Sequence, residues 1–340
     1  MHSLKSTRLQ TKLIRALPQL LAGFLCISPL LAAPLKIGTV GWIAFSPLDV
    51  ADAKGFWKEQ GLDVQVISIP GDGSSTQAFI NGKVDIGMDM LGTWISTYQD
   101  GTDLVILGES DWSNGGDKLI ISEGMDVKSL KVKKIGVYDA GAATGFFLSE
   151  YLKKQDMKLK DFELAEVDSD ELSNHFISGR LPLILNYDPH ATRAVKEGHG
   201  KILATSADIP GSIPEGFAMK ADKFKSTSNE DLVKFMRGWF KAVKWTRDPA
   251  NWAEYQTIMK ERTFKDDEPG SDEELKAMTE VVIVHTPESA LKINAPDAGT
   301  QHYLDKLREF LKENDLLKRD FKGADLIKTE AILKAAELEK

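Results

Sequence analysis

Short runs of β-forming apolar residues alternate with amphipathic stretches along the first two thirds of the chain. Leu35–Val40 reads as a strand. Ser46-Pro47-Leu48-Asp49 then predicts a helix start, with Ser46 as N-cap, Pro47 at the first helical position and an acid in the first turn. That helix stops near Gly61, and Val64–Ile67 is the next strand. Gly71–Ser75 is a turn into a helix that ends at Asn81-Gly82, and Val84–Gly87 and Leu104–Leu107 follow as strands. This alternation predicts an α/β domain with a mainly parallel sheet.

The pattern restarts after Gly124. Lys134–Val137 is a strand, and Gly141–Gly145 leads into a helix through Leu152. Phe162–Ala165, Leu183–Leu185 and Ile202–Leu203 are further strands. After Pro210 the period changes to that of helices, over Leu232–Thr246, Asn251–Arg262 and His302–Asn314. Leu232, Phe235, Met236, Trp239 and Val243 make one apolar stripe, which predicts core packing. The expected organisation is a first part of lobe one over 33–122, lobe two over 123–209, and a return to lobe one with C-terminal helices over 210–340.

The beginning of the chain has another character. Lys5, Arg8, Lys12 and Arg15 stand without an acid, and a mostly apolar stretch, Leu20–Leu31, leads to Ala32-Ala33-Pro34. A basic region, an apolar region and small residues at a cut site predict a signal peptide over 1–32, cleaved after Ala32. A membrane-spanning helix needs roughly 20 apolar residues, and Pro18, Gln19 and Pro29 interrupt this stretch. Cys26, the single cysteine, falls within the leader, so the mature protein is expected to have no disulfide. Its stability must come from core packing.

Composition narrows the function. Of 340 residues, 42% are hydrophobic and 28% charged, which is globular composition. A formal net charge of −8 opposes general binding to a phosphate backbone, so no nucleic-acid partner is expected. There is no phosphate-binding loop after Gly71-Asp72-Gly73, no Gly-x-Ser-x-Gly elbow, and no histidine pair at zinc-ligand spacing among the six histidines. No catalytic residue, metal or cofactor is expected.

The informative polar and aromatic residues fall where strands end. In open α/β sheets that is where ligands sit, beside helix N-termini. Trp42, Phe45 and Ser46 follow the first strand, and Asp72, Ser74, Ser75 and Thr76 the second. Asp89, Met90, Thr93 and Trp94 follow the third, and Asp111-Trp112-Ser113-Asn114-Gly115-Gly116-Asp117 the fourth. Tyr138, Asp139, Thr144 and Asn186–His190 hold the matching places in the second half. The plainer reading makes Ser46, Ser74 and Thr93 helix caps, Asp72, Asp117 and Asp139 turn residues, and Trp42 and Trp94 core. Matching decoration on two halves favours a small-molecule cleft between lobes. The candidate ligand-binding set is Trp42, Phe45, Ser46, Ser74, Asp89, Asn114, Asp117, Asp139, Thr144, Tyr187 and Asp188.

Pro47–Ala51, Lys54–Val64 and Ala78–Gly87 closely resemble the opening of nitrate/sulfonate/taurine-type periplasmic binding proteins. Gly179-Arg180-Leu181 and Tyr187-Asp188-Pro189 resemble that family's second-lobe strand and turn, and Leu304–Asp325 its helical ending. The resemblance implies a two-lobed type II periplasmic-binding-protein fold of class α/β. It implies a monomer in the periplasm that delivers a small-molecule ligand to the membrane permease of an ABC importer. It carries ligand contacts onto Trp42, Ser46, Ser74, Asp89, Asn114, Thr144 and Asp188. The Asp111–Asp117 run resembles a subgroup associated with urea- or guanidine-type nitrogen metabolism. Thiamine-pyrimidine synthases share the fold but use a cysteine-rich motif, which the mature chain lacks. An exported sensor input domain is the other alternative. The cleft candidates are rich in acids and aromatics, with Lys118 and His190 the only cations nearby. That pattern predicts a small neutral or cationic nitrogen compound; a sulfur-containing ligand, a sulfonate-like anion held by helix N-termini, is the alternative.

Overall fold

The computed structural model describes residues 33–71, 73–130, 133–266 and 271–340. The expected signal peptide, with Cys26, and Asp72 lie outside the described residues. The strands are β1 (Leu35–Thr39), β2 (Val64–Ser68), β3 (Ile86–Met90), β4 (Leu104–Ser113), β5 (Asp117–Ser122), β6 (Lys134–Val137), β7 (Glu163–Glu166), β8 (Leu183–Tyr187), β9 (Gly200–Thr205), β10 (Pro214–Lys220) and β11 (Val282–Val284). They form two sheets. The first has the order β11-β4-β10-β3-β1-β2 and the second β7-β6-β8-β5-β9.

Each sheet is parallel at one end and antiparallel at the other. β1 runs parallel to β2 and β3, whereas β10 is antiparallel to β3 and β4, and β11 is antiparallel to β4. In the second sheet β6 is parallel to β7 and β8, and β5 is antiparallel to β8 and β9. The expectation of a mainly parallel sheet is therefore corrected for the first sheet. The strands that were not read in this sheet are β10 and β11, and β10 opens Pro-Glu-Gly, three residues depleted in strands. β4 also runs on to Ser113, past the Leu107 predicted as its end, because Glu109, Ser110 and Asp111 are buried polar residues inside a strand.

The chain leaves the first sheet at Ser113 and enters the second at Asp117, then returns between Thr205 and Pro214. Sheet membership thus moves the first crossing from the expected 122/123 back to 114–116. Gly116 is needed there: a Cβ at this position would lie 2.4 Å from the Trp42 ring. The expected helical C-terminal region is present. Its helix Gly299–Glu313 lies on the second sheet's flank, with Tyr303 and Phe310 packed edge-on against Phe146 at 5.9 and 5.7 Å.

The helices that follow the strands are α1 (Ser46–Ala53), α2 (Ser74–Ile80), α3 (Leu91–Gln99) and α4 (Ala142–Lys153). The stripe predicted on the helix Asn229–Thr246 is buried throughout. Phe235 stacks on Trp57 at 5.6 Å, and Trp239 meets Phe217 edge-on at 5.2 Å. Ser228 caps this helix by accepting the Asp231 N–H at 3.0 Å. On the other face of the first sheet, α3 packs against α4. At Gly92 a Cβ would meet the Ala143 backbone at 2.5 Å, so glycine permits this approach of two helix starts.

Candidate functional site

The ends of the strands from both sheets converge on one pocket, with about 620 Å³ of atom-free space that includes open solvent. Val40, Trp42, Phe45, Gly73, Thr76, Asp89, Met90, Thr93 and Glu215 line it from the first sheet's side. Asp117, Tyr138, Asp139, Glu166 and Tyr187 line it from the second. Five of these residues are carboxylic acids and four are aromatic. None of the described lining residues is Lys, Arg or His.

The aromatic residues form a continuous wall. Tyr187 meets Trp42 edge-on at 5.6 Å and Tyr138 at 4.9 Å, so each ring fixes the next. This wall orients the two deepest acids. Trp42 donates its indole N–H to Glu215 Oε2 at 2.7 Å, and Tyr138 donates its hydroxyl to Asp117. Trp42, Tyr138, Asp117 and Glu215 are all buried.

Asp89 and Asp139 stand nearer the mouth, at the starts of α3 and α4. Asp89 accepts the Met90 N–H at 2.7 Å and the Thr76 hydroxyl at 3.0 Å. Asp139 accepts the Gly141 N–H at 2.8 Å, and the Thr93 hydroxyl lies 3.4 Å from it. The neighbouring N–H groups are also taken, Ala140 by Glu166 at 3.2 Å and Ala142 by the Ser96 hydroxyl at 2.9 Å. Helix N-termini attract anions through such donors. Here the chain's own carboxylates take those of Met90, Ala140 and Gly141, and a serine hydroxyl takes that of Ala142.

Burial raises the affinity of these acids for protons. Asp117 is pushed up by desolvation, against the pull of Ser113 and Tyr138. Glu215 is pushed well up by burial and then by Asp111. Asp139 rises to about 7, through burial first and the Asp89 carboxylate second. Tyr138 is held far above the usual phenol range by burial and Asp117. Desolvation and like charge act in the same direction on a carboxyl group.

Of the predicted set, the pocket gathers Trp42, Phe45, Asp89, Asp117, Asp139 and Tyr187. Five residues lie elsewhere. Ser46 closes a 3₁₀ turn, Ile43–Phe45, and is the first residue of α1 rather than its N-cap, outside the pocket lining. Its buried hydroxyl donates to Ile43 O at 2.6 Å and meets Tyr255 OH at 2.6 Å. Ser74 is exposed at the start of α2, outside the lining, while Gly73 and Thr76 face the pocket. Asn114 sits in the crossing, where its backbone N–H bonds to Val281 O at 2.8 Å. Thr144 is fully buried in α4 and donates to Asp139 O. Asp188 is buried, and its carboxylate pairs with Lys118. The Thr192 N–H and hydroxyl lie 3.1 and 2.7 Å from it.

Glu215 and Glu166 were missed. Glu215 had a faint signal, an acid inside the apolar run Ile213–Met219, but its strand was not read. Glu166 directly follows the predicted strand Phe162–Ala165, so its position at a strand end was a signal that went unused.

The family model described as NMT1-like matches residues 31–260. The chain belongs to the NMT1-like family. It is 28% identical over 216 residues to a putative binding protein, YtlA, of Bacillus subtilis (strain 168), covering 61% of this chain and 64% of that one. A putative aliphatic sulfonates-binding protein of the same organism is 24% identical over 212 residues, covering 60% and 63%. The chain thus spans less than two thirds of the length of these curated relatives. Among solved structures, the alkanesulfonate-binding protein SsuA of Xanthomonas axonopodis pv. citri, bound to MOPS, superposes with a TM-score of 0.70 at 14% identity, over 88% of this chain and 100% of that one. The periplasmic nitrate-binding protein NrtA of Synechocystis PCC 6803 gives 0.69 at 16% identity, over 90% and 88%. At such identities the likeness shows the fold, that of the two-lobed periplasmic binding proteins. No helix among the described residues is long and apolar enough to cross a membrane.

Proposed function

We propose that this NMT1-like chain is an extracytoplasmic solute-binding protein. It captures a small cationic or neutral nitrogen compound, such as a guanidine, amidine, urea or amine, in the pocket between the two sheets. It then passes the ligand as a monomer to the permease of an ABC importer. The crossings at 114–116 and 206–213 are the hinge of this reading, and ligand favours the closed state of two. The relatives named above support the transport class.

One observation carries the ligand class: the described lining has five carboxylic acids and four aromatics, and no basic side chain. Carboxylates give charge-assisted bonds to cationic N–H donors. Aromatic faces add about 0.5–2 kcal/mol for each cation they meet. An anion would enter against five acids, and the N–H groups of Ala140, Gly141 and Ala142, leading into α4, are already bonded.

Calorimetry with guanidine, urea, simple amines, taurine and nitrate tests the reading. A nitrogen compound is expected to bind, and Asp89→Asn or Asp117→Asn to weaken it at least about tenfold. Tight binding of taurine or nitrate, indifferent to both substitutions, overturns the ligand class and leaves the transport class standing.

A further inference from the structure

One buried acid, Asp111, lies outside the described pocket lining and next to it. Asp111 on β4 stands directly opposite Glu215 on β10 in the antiparallel register. Asp111 is fully buried and Glu215 nearly so. As directly opposed residues of neighbouring strands they leave the same face of the sheet, and two carboxyl groups brought together there can bond to one another only with a proton between them. Asp111 Oδ2 accepts the Ser110 hydroxyl at 2.7 Å, and Asp111 Oδ1 receives no other donor.

Among the described residues no Lys or Arg forms an ion pair with either acid. From β11, His285 lies beside the pair, and its Nε2 is 3.0 Å from Glu109 Oε1. From β4 comes Glu109 itself, and from β5 and the end of β6 come Asp117 and Tyr138. From the loop after β1, Trp42 brings a neutral N–H. Lys118, the nearest ammonium on β5, is bound to Asp188. Like carboxyl groups in contact, shielded from water, share one proton.

We propose that Asp111 and Glu215 hold one shared proton in the ligand-free protein, and that a cation entering the pocket expels it. Glu215 is the exchanging group, since it faces both the pocket and Asp111. Asp111 is a positioning residue that sets the charge of Glu215. The exchange rests on the cationic reading of the pocket. It makes capture selective for ligands that carry permanent positive charge, because a neutral amide such as urea gives nothing in return for the proton. Binding then tightens as pH rises, by up to about tenfold per unit while the proton is still bound. The upward shifts of both acids agree with this arrangement.

Two measurements on the mature protein test the exchange. Infrared spectroscopy of the ligand-free protein at neutral pH is expected to show the carbonyl stretch of a buried protonated carboxyl group. Glu215→Gln and Asp111→Asn should each lower its intensity by one carboxyl group's share, above the part that Asp139 contributes. Calorimetry with guanidinium and methylammonium chlorides, in buffers of different ionisation enthalpy, should show about one proton released per cation bound. In Asp111→Asn that release disappears and the affinity loses its pH slope, while its value near pH 8 stays within a few-fold of wild type. Absence of that share of the infrared band in the wild type overturns the shared proton and leaves the cationic reading intact. Binding of either cation without proton release does the same. If the band is present and neither cation binds at any pH, the cationic reading fails, and the exchange with it.

Discussion

Buried acids in this protein fall into two groups. Away from the pocket they have a basic side chain as partner: Asp188 has Lys118, Glu109 has His285, and Glu339 has Arg237 and Lys244. At the pocket, Asp111, Asp117 and Glu215 form no ion pair among the described residues. Their bonds come instead from hydroxyls and an indole N–H. Asp49 stands between the groups. It accepts the Thr263 hydroxyl at 2.7 Å, has Arg262 nearby, and rises to about 6 through burial. Burying a charge is costly unless it is paired. An interior that pairs its acids elsewhere and leaves them without a base at one cavity is arranged for a partner that comes and goes.

The sharpest way to test that contrast is to remove the partner from a paired acid. Lys118→Met strands Asp188 in a buried site. Loss of one member of a buried pair costs about 3–5 kcal/mol, so a fall of that size is expected in denaturant unfolding. Unchanged stability would mean that Asp188 is not committed to Lys118, and the division into two groups would lose its basis.

The same kind of change on the pocket side should act on binding instead. Asp117→Asn and Glu215→Gln each remove a charged acceptor, worth about 1.5–3 kcal/mol to a cationic donor, or roughly ten- to hundredfold in affinity. Unfolding stability should hold or rise, because each change relieves repulsion among buried acids. Loss of stability comparable to that of Lys118→Met would make these acids structural.

Much of this contrast was legible in the sequence, and the reasons for what was not are physical. Strands β1, β2, β6 and β8 and their following helices announce themselves by apolar period and turn residues. So Trp42, Asp89, Asp139 and Tyr187, which follow or end strands, were found. A polar residue inside a strand gives no such signal. Glu109, Asp111 and Glu215 break the apolar runs of β4 and β10 because they serve the interior, and those strands were cut short or missed. Thr144 and Ser46 mislead in the opposite way. Both sit at helix starts beside the pocket, yet their hydroxyls turn to Asp139 O and to Ile43 O. Helix position is periodic and readable, whereas side-chain direction at a junction depends on the tertiary partner. Asp188 looked like a ligand contact because nothing in sequence joins it to Lys118, 70 residues away.

A smaller effect is expected on the pH dependence of stability. Asp139 has a folded value of about 7, against 3.8 for an unperturbed aspartate. A carboxyl group raised by folding holds its proton more tightly in the folded state. Its contribution is full below about 4 and is lost as pH rises toward 7. The melting temperature of the ligand-free protein should therefore fall across that window, and Asp139→Asn should flatten part of the slope. A melting temperature that rises steadily from pH 4 to pH 7 in both proteins would contradict the environment assigned to Asp139.

The smallest effect belongs to Asn114, and it sharpens the comparison by doing nothing. The family resemblance put this residue in contact with ligand, but it lies in the crossing strand rather than in the pocket lining. What holds it there is its backbone, through the N–H bond to Val281 O, while the Ser206 hydroxyl takes the next N–H, that of Gly115, at 2.7 Å. Any residue without strain can supply such a bond. Asn114→Ala should shift unfolding by no more than about 0.5 kcal/mol and leave cation affinity within about twofold. A tenfold loss of affinity with stability preserved would place the Asn114 side chain on the ligand, extend the site into the crossing, and make the hinge a reader of ligand identity as well as a pivot.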